Sequence, residues 1–226
     1  MNIGIIGCGW LGEPLASTLS KKYQVSCFNR DTTSDTSNFW QSNIIIIAIN
    51  TKDNYLQTLA KIAKLTQDSS SIILISSTSV YREFNKEIDE TVDITDIKRQ
   101  REAEILLSGL RKNILILRLG GLMGEDRISG KWKSISTFTD GPVNYIHKDD
   151  AIGAICFMIE NQITTSIYNL VAPEHPLRSN VHKSNCERFG LELGSFEGET
   201  FRIVNSDKLL KLGYKFKYPN PLSFWS

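Results

Sequence analysis

Residues 7–12 read Gly7-Cys8-Gly9-Trp10-Leu11-Gly12, a G-x-G-x-x-G. On its left, residues 2–6 (NIGII) form a short apolar run of strand length. On its right, Leu11, Leu15 and Leu19 recur at helical spacing, predicting a helix to about Lys22. Pro14 falls in the first turn of that helix, where its missing backbone donor costs nothing. A glycine loop between strand and helix matches a known physical design. The first glycine permits the tight turn, the second lets backbone approach a pyrophosphate, and the third lets the helix pack against the sheet. Free amides and the helix dipole then favour phosphate. The loop is therefore expected to bind a dinucleotide.

The pattern outward from this loop repeats. Residues 24–28 (QVSCF), 44–49 (IIIIAI), 71–76 (SIILIS) and 113–117 (NILIL) read as strands, and 44–49 is apolar on both faces. Residues 54–65 and 95–110 carry apolar residues at helical spacing. The alternation predicts an α/β fold, a Rossmann-type doubly wound parallel sheet. Beyond Arg118 the regularity weakens. Helices are expected over 148–160, 175–189 and 206–212, with a strand over 166–171. Residues 1–170 are read mainly as a dinucleotide-binding domain, with 119–145 contributing to a substrate cleft. Residues 171–226 are read as a small C-terminal α/β substrate region.

Composition narrows the function. The chain has 226 residues, 41% hydrophobic and 23% charged, which suits a globular domain with a buried core. Lys plus Arg is 26 against 25 for Asp plus Glu, and no basic run occurs, so neither nucleic acid nor an anionic membrane is an expected partner. The start, Met1-Asn2-Ile3-Gly4, lacks the signature of a signal peptide, and the expected location is the cytoplasm. Cys8, Cys27, Cys156 and Cys186 are scattered without a C-x-x-C, so reduced thiols are expected, with neither disulfide nor metal site.

The second strand ends Phe28-Asn29-Arg30, with no acid for ribose hydroxyls. Arg30 suits a 2′-phosphate and Asn29 a ribose, which favours NADP over NAD. Trp10, inside the loop, would cover either the cofactor or a neighbouring strand.

The order of features from the glycine loop onward resembles a known family. IIIIAIN ending at Asn50 is followed by ILISSTSVY (residues 73–81), EILL (104–107), ILRLGGLMG (116–124), NYIHKDDAIGAI (144–155) and YNLV (168–171). This looks like the extended short-chain dehydrogenase/reductases, the NAD(P)-dependent epimerases and dehydratases, and above all their small atypical members. The resemblance implies a cofactor set of Gly7, Gly9, Trp10, Leu11, Gly12, Asn29, Arg30, Ala48, Asn50 and Ser76. It implies that Ser77, or Thr78 in its place, holds a substrate oxygen. Tyr81, on the same rim, and His147 are the candidates for proton transfer.

Three departures qualify the likeness. The family's usual G-x-x-G-x-x-G would need Gly at Ile6. Only residues 29–43 separate the second and third strands, which implies a trimmed crossover. The family's Tyr-x-x-x-Lys is absent, and alignment on Glu104 puts Asp96 and Gln100 in its place. Gln cannot titrate, an ionised Asp is a poor acid, and Lys98 is two positions out of phase. Asp149 and Asp150, just before Ala151, read as helix caps.

Two functions follow as expectations. The first is an NADP(H)-dependent oxidoreductase or epimerase acting on a small polar substrate such as a sugar or sugar nucleotide. The second is a non-catalytic dinucleotide-binding module, a redox sensor or scaffold.

Overall fold

A computed structural model of the chain describes residues 1–29, 38–52, 54–82, 85–94, 98–131 and 137–225. In chain order the strands are β1 (Asn2–Ile6), β2 (Gln24–Phe28), β3 (Ile44–Ile47), β4 (Ser71–Ser77), β5 (Lys86–Ile88), β6 (Ile114–Leu119), β7 (Gly121–Met123), β8 (Thr137–Asp140), β9 (Tyr145–His147), β10 (Ser166–Leu170), β11 (Ser195–Glu199) and β12 (Arg202–Val204). The helices are α1 (Gly12–Leu19), α2 (Tyr55–Leu65), α3 (Arg99–Leu110), α4 (Lys148–Glu160), α5 (Arg178–Phe189) and α6 (Asp207–Lys211). Among the described residues, six strands form one sheet in the order β10-β6-β4-β3-β1-β2, and three further pairs are β11 with β8, β12 with β5 and β7 with β9.

The pairing of β1 with β2, β1 with β3 and β3 with β4 is parallel. The chain steps from β1 to β2 on one side and then to β3 on the other. The strand order therefore reverses at β1, and the carboxyl end of β1 is the switch point where open parallel sheets bind ligands. All four residues of β3 are buried, as an interior parallel strand requires. The expected third strand stops at Ile47 rather than Ile49.

The chain divides into two compact units. The first comprises Met1–Val80, Thr95–Arg118 and Ala154–Ile167. Its core includes Ile45, Ile47, Leu59, Ile72, Leu74, Ala103 and Leu107, with Phe28 and Trp40 packed on it. Beneath β4 lies a polar cluster. Glu104, fully buried, accepts from Arg118 Nε (2.9 Å) and Nη2 (2.6 Å), from Ser76 Oγ (2.7 Å) and from Arg101 Nη1 (3.2 Å). Sequence periodicity reads Glu104 as one polar position in EILL and carries no sign of this network.

The second unit comprises Tyr81–Ile94, Leu119–Gly153 and Tyr168–Ser226. Asp150, 1% exposed, accepts from Tyr214 Oη and from the backbone amides of Lys217 and Tyr218. Asp149 pairs with Lys217 Nζ at 3.0 Å. These two acids hold the C-terminal aromatic segment, a correction to their reading as helix caps. Asp140, at the end of β8, accepts from Ser179 N and Oγ and so serves the start of α5 from a distance.

Candidate functional site

Each loop glycine has a separate geometric reason. Gly7 has φ +98°, and a Cβ there would lie 2.4 Å from the Ala48 carbonyl oxygen. A Cβ on Gly12 would lie 2.2 Å from the Gly7 carbonyl oxygen, so helix α1 can start this close only on glycine. A Cβ on Gly9 would meet nothing within 4 Å. Nothing in the protein's own packing demands glycine at position 9. The space beside it is open.

Backbone bonds hold the turn. Gly7 N donates to Phe28 O (3.0 Å), Gly9 N to Gly7 O (2.9 Å) and Glu13 N to Gly9 O (2.9 Å). No side chain caps the amino end of α1, where Leu11 is the N-cap. Glu13 N is satisfied by Gly9 O and Pro14 has no N–H, so in the first turn it is the Gly12 amide that faces an external acceptor. These residues fit a dinucleotide pyrophosphate: an open cradle, a helix start and the switch point of the sheet coincide.

The remaining expected cofactor residues fall into distinct places. Asn29 Oδ1 accepts the Cys8 amide at 2.9 Å, so it braces the glycine loop. Trp10 is half-buried and Leu11 buried. Ala48 is half-buried and donates its amide to Ile6 O, while Asn50 is exposed. Ser76 is buried and gives its hydroxyl hydrogen to Glu104, inside the polar cluster. Arg30 and Asp96 lie outside the described residues.

The cysteine expectation is overturned at this loop. Cys8 and Cys27 form a disulfide, with Cα atoms 6.0 Å apart. The cause is the parallel register. Cys27 lies opposite Ile5 on the adjacent strand, and three residues later the chain has turned over the end of β1. Residues 19 apart in sequence are thereby brought within the span of a disulfide. Cys156 and Cys186 are free.

At the end of β4, Ser77 is half-buried and its Oγ accepts the Ser79 amide at 3.1 Å. That bond leaves the Ser77 hydroxyl hydrogen available to donate. Thr78 is 5% exposed. Lys98 Nζ donates to the Ser79 carbonyl at 3.0 Å. Helix α3 begins at Arg99 rather than near residue 95, so Lys98 sits before the helix in extended backbone. The helical phase that sets Lys98 aside in the sequence does not apply, and its ammonium reaches the Ser77–Ser79 turn. Gln100 stands in the first turn of α3.

Tyr81 and His147 belong to the second unit. Tyr81, expected on a rim, is 1% exposed and its phenol donates to Asn169 Oδ1 at 2.8 Å. His147 is buried at the end of β9, with ring centroids 4.1 Å from Tyr218 and 5.5 Å from Phe224. Its Nδ1 accepts the Asp149 amide at 3.2 Å, and burial lowers its pKa below the usual 6.5. Both side chains are engaged in packing and internal hydrogen bonds.

Similarity to known proteins agrees with this architecture. No family profile matches the sequence. Protein YeeZ of Escherichia coli K12 is 27% identical, with 97% of each chain covered. A Methylobacillus flagellatus structure described as an NAD-dependent epimerase/dehydratase superposes with a TM-score of 0.80 at 20% identity, covering 99% of this chain and 96% of the other. A human epimerase family protein solved with NADPH gives 0.79 at 13%, covering 99% and 97%. UDP-glucuronic acid 4-epimerase from Bacillus cereus, in complex with NAD, gives 0.78 at 16%, covering 99% and 95%. No helix among the described residues is long and apolar enough to cross a membrane. With its six-stranded sheet and its glycine loop at the strand-order reversal, the chain has the α/β fold of the NAD-dependent epimerase/dehydratase and short-chain dehydrogenase/reductase proteins.

Proposed function

We propose that this protein is a member of that family and an NADP(H)-dependent oxidoreductase or epimerase of a small polar carbonyl or alcohol, such as a sugar or sugar nucleotide. The observation that carries the reading is the glycine loop at the carboxyl end of β1, where Gly7 and Gly12 are sterically obliged and the space beside Gly9 is open. The fold likeness supports it, since relatives of the same architecture are described with NAD, NADPH and nucleotide sugars.

In this reading Gly7 and Gly9 shape the cradle, their amides being held by Phe28 O and Gly7 O, and the Leu11 and Gly12 amides at the start of α1 meet the pyrophosphate. Asn29 keeps the loop in shape, and Arg30 is assigned to the 2′-phosphate. When bound, the nicotinamide supplies hydride chemistry. Ser77 donates its free hydroxyl hydrogen to the substrate oxygen, and the bond it accepts from Ser79 N fixes its orientation. Lys98, tied to Ser79 O, adds positive charge to the same turn and favours negative charge developing on that oxygen. Solvent is assigned the proton, because the Tyr81 phenol donates to Asn169 and the His147 ring is packed on Tyr218 and Phe224 with its Nδ1 accepting the Asp149 amide.

The test is a screen of sugar nucleotides and small carbonyl compounds for NADPH oxidation. Ser77→Ala combined with Thr78→Val should lower turnover on the order of 100-fold, as for loss of one oxyanion donor, at unchanged NADPH affinity. The absence of Tyr-x-x-x-Lys specifically favours a second reading, a dinucleotide-binding module without catalysis. That reading gains if no compound oxidises NADPH and the double variant matches the parent in every binding assay.

A further inference from the structure

The Cys8–Cys27 disulfide joins the glycine loop to the end of β2, and the hydrogen bonds around it run between the same two segments. Phe28 O holds Gly7 N, Asn29 Oδ1 holds Cys8 N, and Cys27 holds Cys8 covalently. Three consecutive residues leaving β2 therefore grip two consecutive residues of the loop. β2 is the edge strand of the sheet and Cys27 is exposed, so its sulfur is accessible to reagents in solvent. Cys8 is half-buried and lies between the two glycines that shape and open the cradle.

We propose that Cys8 and Cys27 are a reversible redox modification site that sets dinucleotide affinity: the disulfide clamps the glycine loop in its accepting form, and reduction loosens it. This rests on the cofactor reading above. The chemistry is thiol–disulfide exchange with a low-molecular-weight disulfide such as glutathione disulfide. The Cys27 thiolate attacks one sulfur, the small disulfide breaks, and one small thiolate leaves. The Cys8 thiolate then attacks Cys27 Sγ, forming the Cys8–Cys27 bond and expelling the second small thiolate. The two protons lost by the cysteines end on the two released thiols. Two electrons pass from the cysteine pair to the small disulfide.

The physical effect is preorganisation. Amides that must converge on a phosphate bind best when they are already held there. With the bond broken, the loop keeps the Gly7–Phe28 and Cys8–Asn29 hydrogen bonds and loses its disulfide cross-link to β2. The expected loss on reduction is about threefold to tenfold in affinity, the scale of releasing one or two ordered groups.

The experiment equilibrates the full-length protein in glutathione disulfide or in dithiothreitol, identifies the bonded cysteines by peptide mass mapping, and titrates each form with NADPH and NADH by nicotinamide fluorescence. Cys27→Ser is treated identically, with thermal unfolding to verify its fold. Threefold or more tighter binding by the oxidised parent, with the variant matching the reduced parent in both buffers, is the expected result. Equal affinity of the two parent forms, or tighter binding by the reduced form, overturns the switch alone. Failure of glutathione disulfide to join Cys8 to Cys27 overturns it as well. If the mapped disulfide forms but neither nucleotide binds either form, the cofactor reading itself fails and takes the switch with it. If Cys27→Ser does not fold, selective alkylation of the exposed Cys27 in the reduced parent replaces it, with the same expected loss of response.

Discussion

Gly9→Ala should separate what the fold requires of the glycine loop from what a ligand requires of it. A methyl at position 9 has no heavy atom within 4 Å, and Gly9 is absent from the positive-φ glycines. Folding should therefore lose nothing, and reduced freedom of the unfolded chain should add about 0.4–1 kcal/mol. The same methyl would project into space that a pyrophosphate must approach. If overpacking there costs about 1–3 kcal/mol, NADPH affinity falls roughly 5- to 150-fold. Gly12→Ala is the opposite case. Its Cβ would sit 2.2 Å from the Gly7 carbonyl oxygen, a backbone atom that cannot move without unseating the loop. It should destabilise by about 1–3 kcal/mol or more, before any ligand is added. Urea unfolding gives the stabilities, and fluorescence titration gives the affinities. The reasoning is refuted if Gly9→Ala binds NADPH as the parent does, or if it destabilises the protein as much as Gly12→Ala.

Three further outcomes are expected. Glu104→Gln removes the charge that compensates buried Arg118 and should cost about 3–5 kcal/mol by denaturant titration, while replacing both partners with apolar residues should recover much of it. Arg30→Ala should weaken NADPH by about 1–3 kcal/mol in calorimetry and leave NADH little changed. All three histidines have pKa values lowered by burial, His182 to about 4. The unfolded chain therefore binds more protons in acid, and the stability these neutral rings contribute is present above pH 6.5 and lost as pH falls toward 4. Thermal unfolding across that range should show a falling midpoint, and His182→Asn should flatten part of the slope.

The features legible in the sequence are those set by near neighbours along the chain. The glycine loop has fixed spacing between a strand and a helix, and Gly7 and Gly12 occupy the turn and helix-packing roles their order implies. The buried parallel strand at Ile44–Ile47 announces itself by having no polar face. What is not legible depends on which segments the fold brings side by side. Cys8 and Cys27 look unrelated until β1 and β2 pair in register. Nothing in the order of residues brings Glu104 and Arg118 together, yet they meet as a buried pair. Lys98 is misplaced when a helical phase is extended past the true start of α3. The likeness to epimerases suggests Tyr81 and His147 for proton transfer, but no motif reveals that one phenol meets Asn169 or that one imidazole is packed on Tyr218.

The central claim is that the loop at Gly7–Gly12 holds a nicotinamide dinucleotide, and calorimetric titration of the purified protein with NADPH and NADH tests it most directly. The account predicts saturable one-to-one binding of both, tighter for NADPH, and weakened by Gly9→Ala without loss of fold. Saturable binding of neither nucleotide would contradict it.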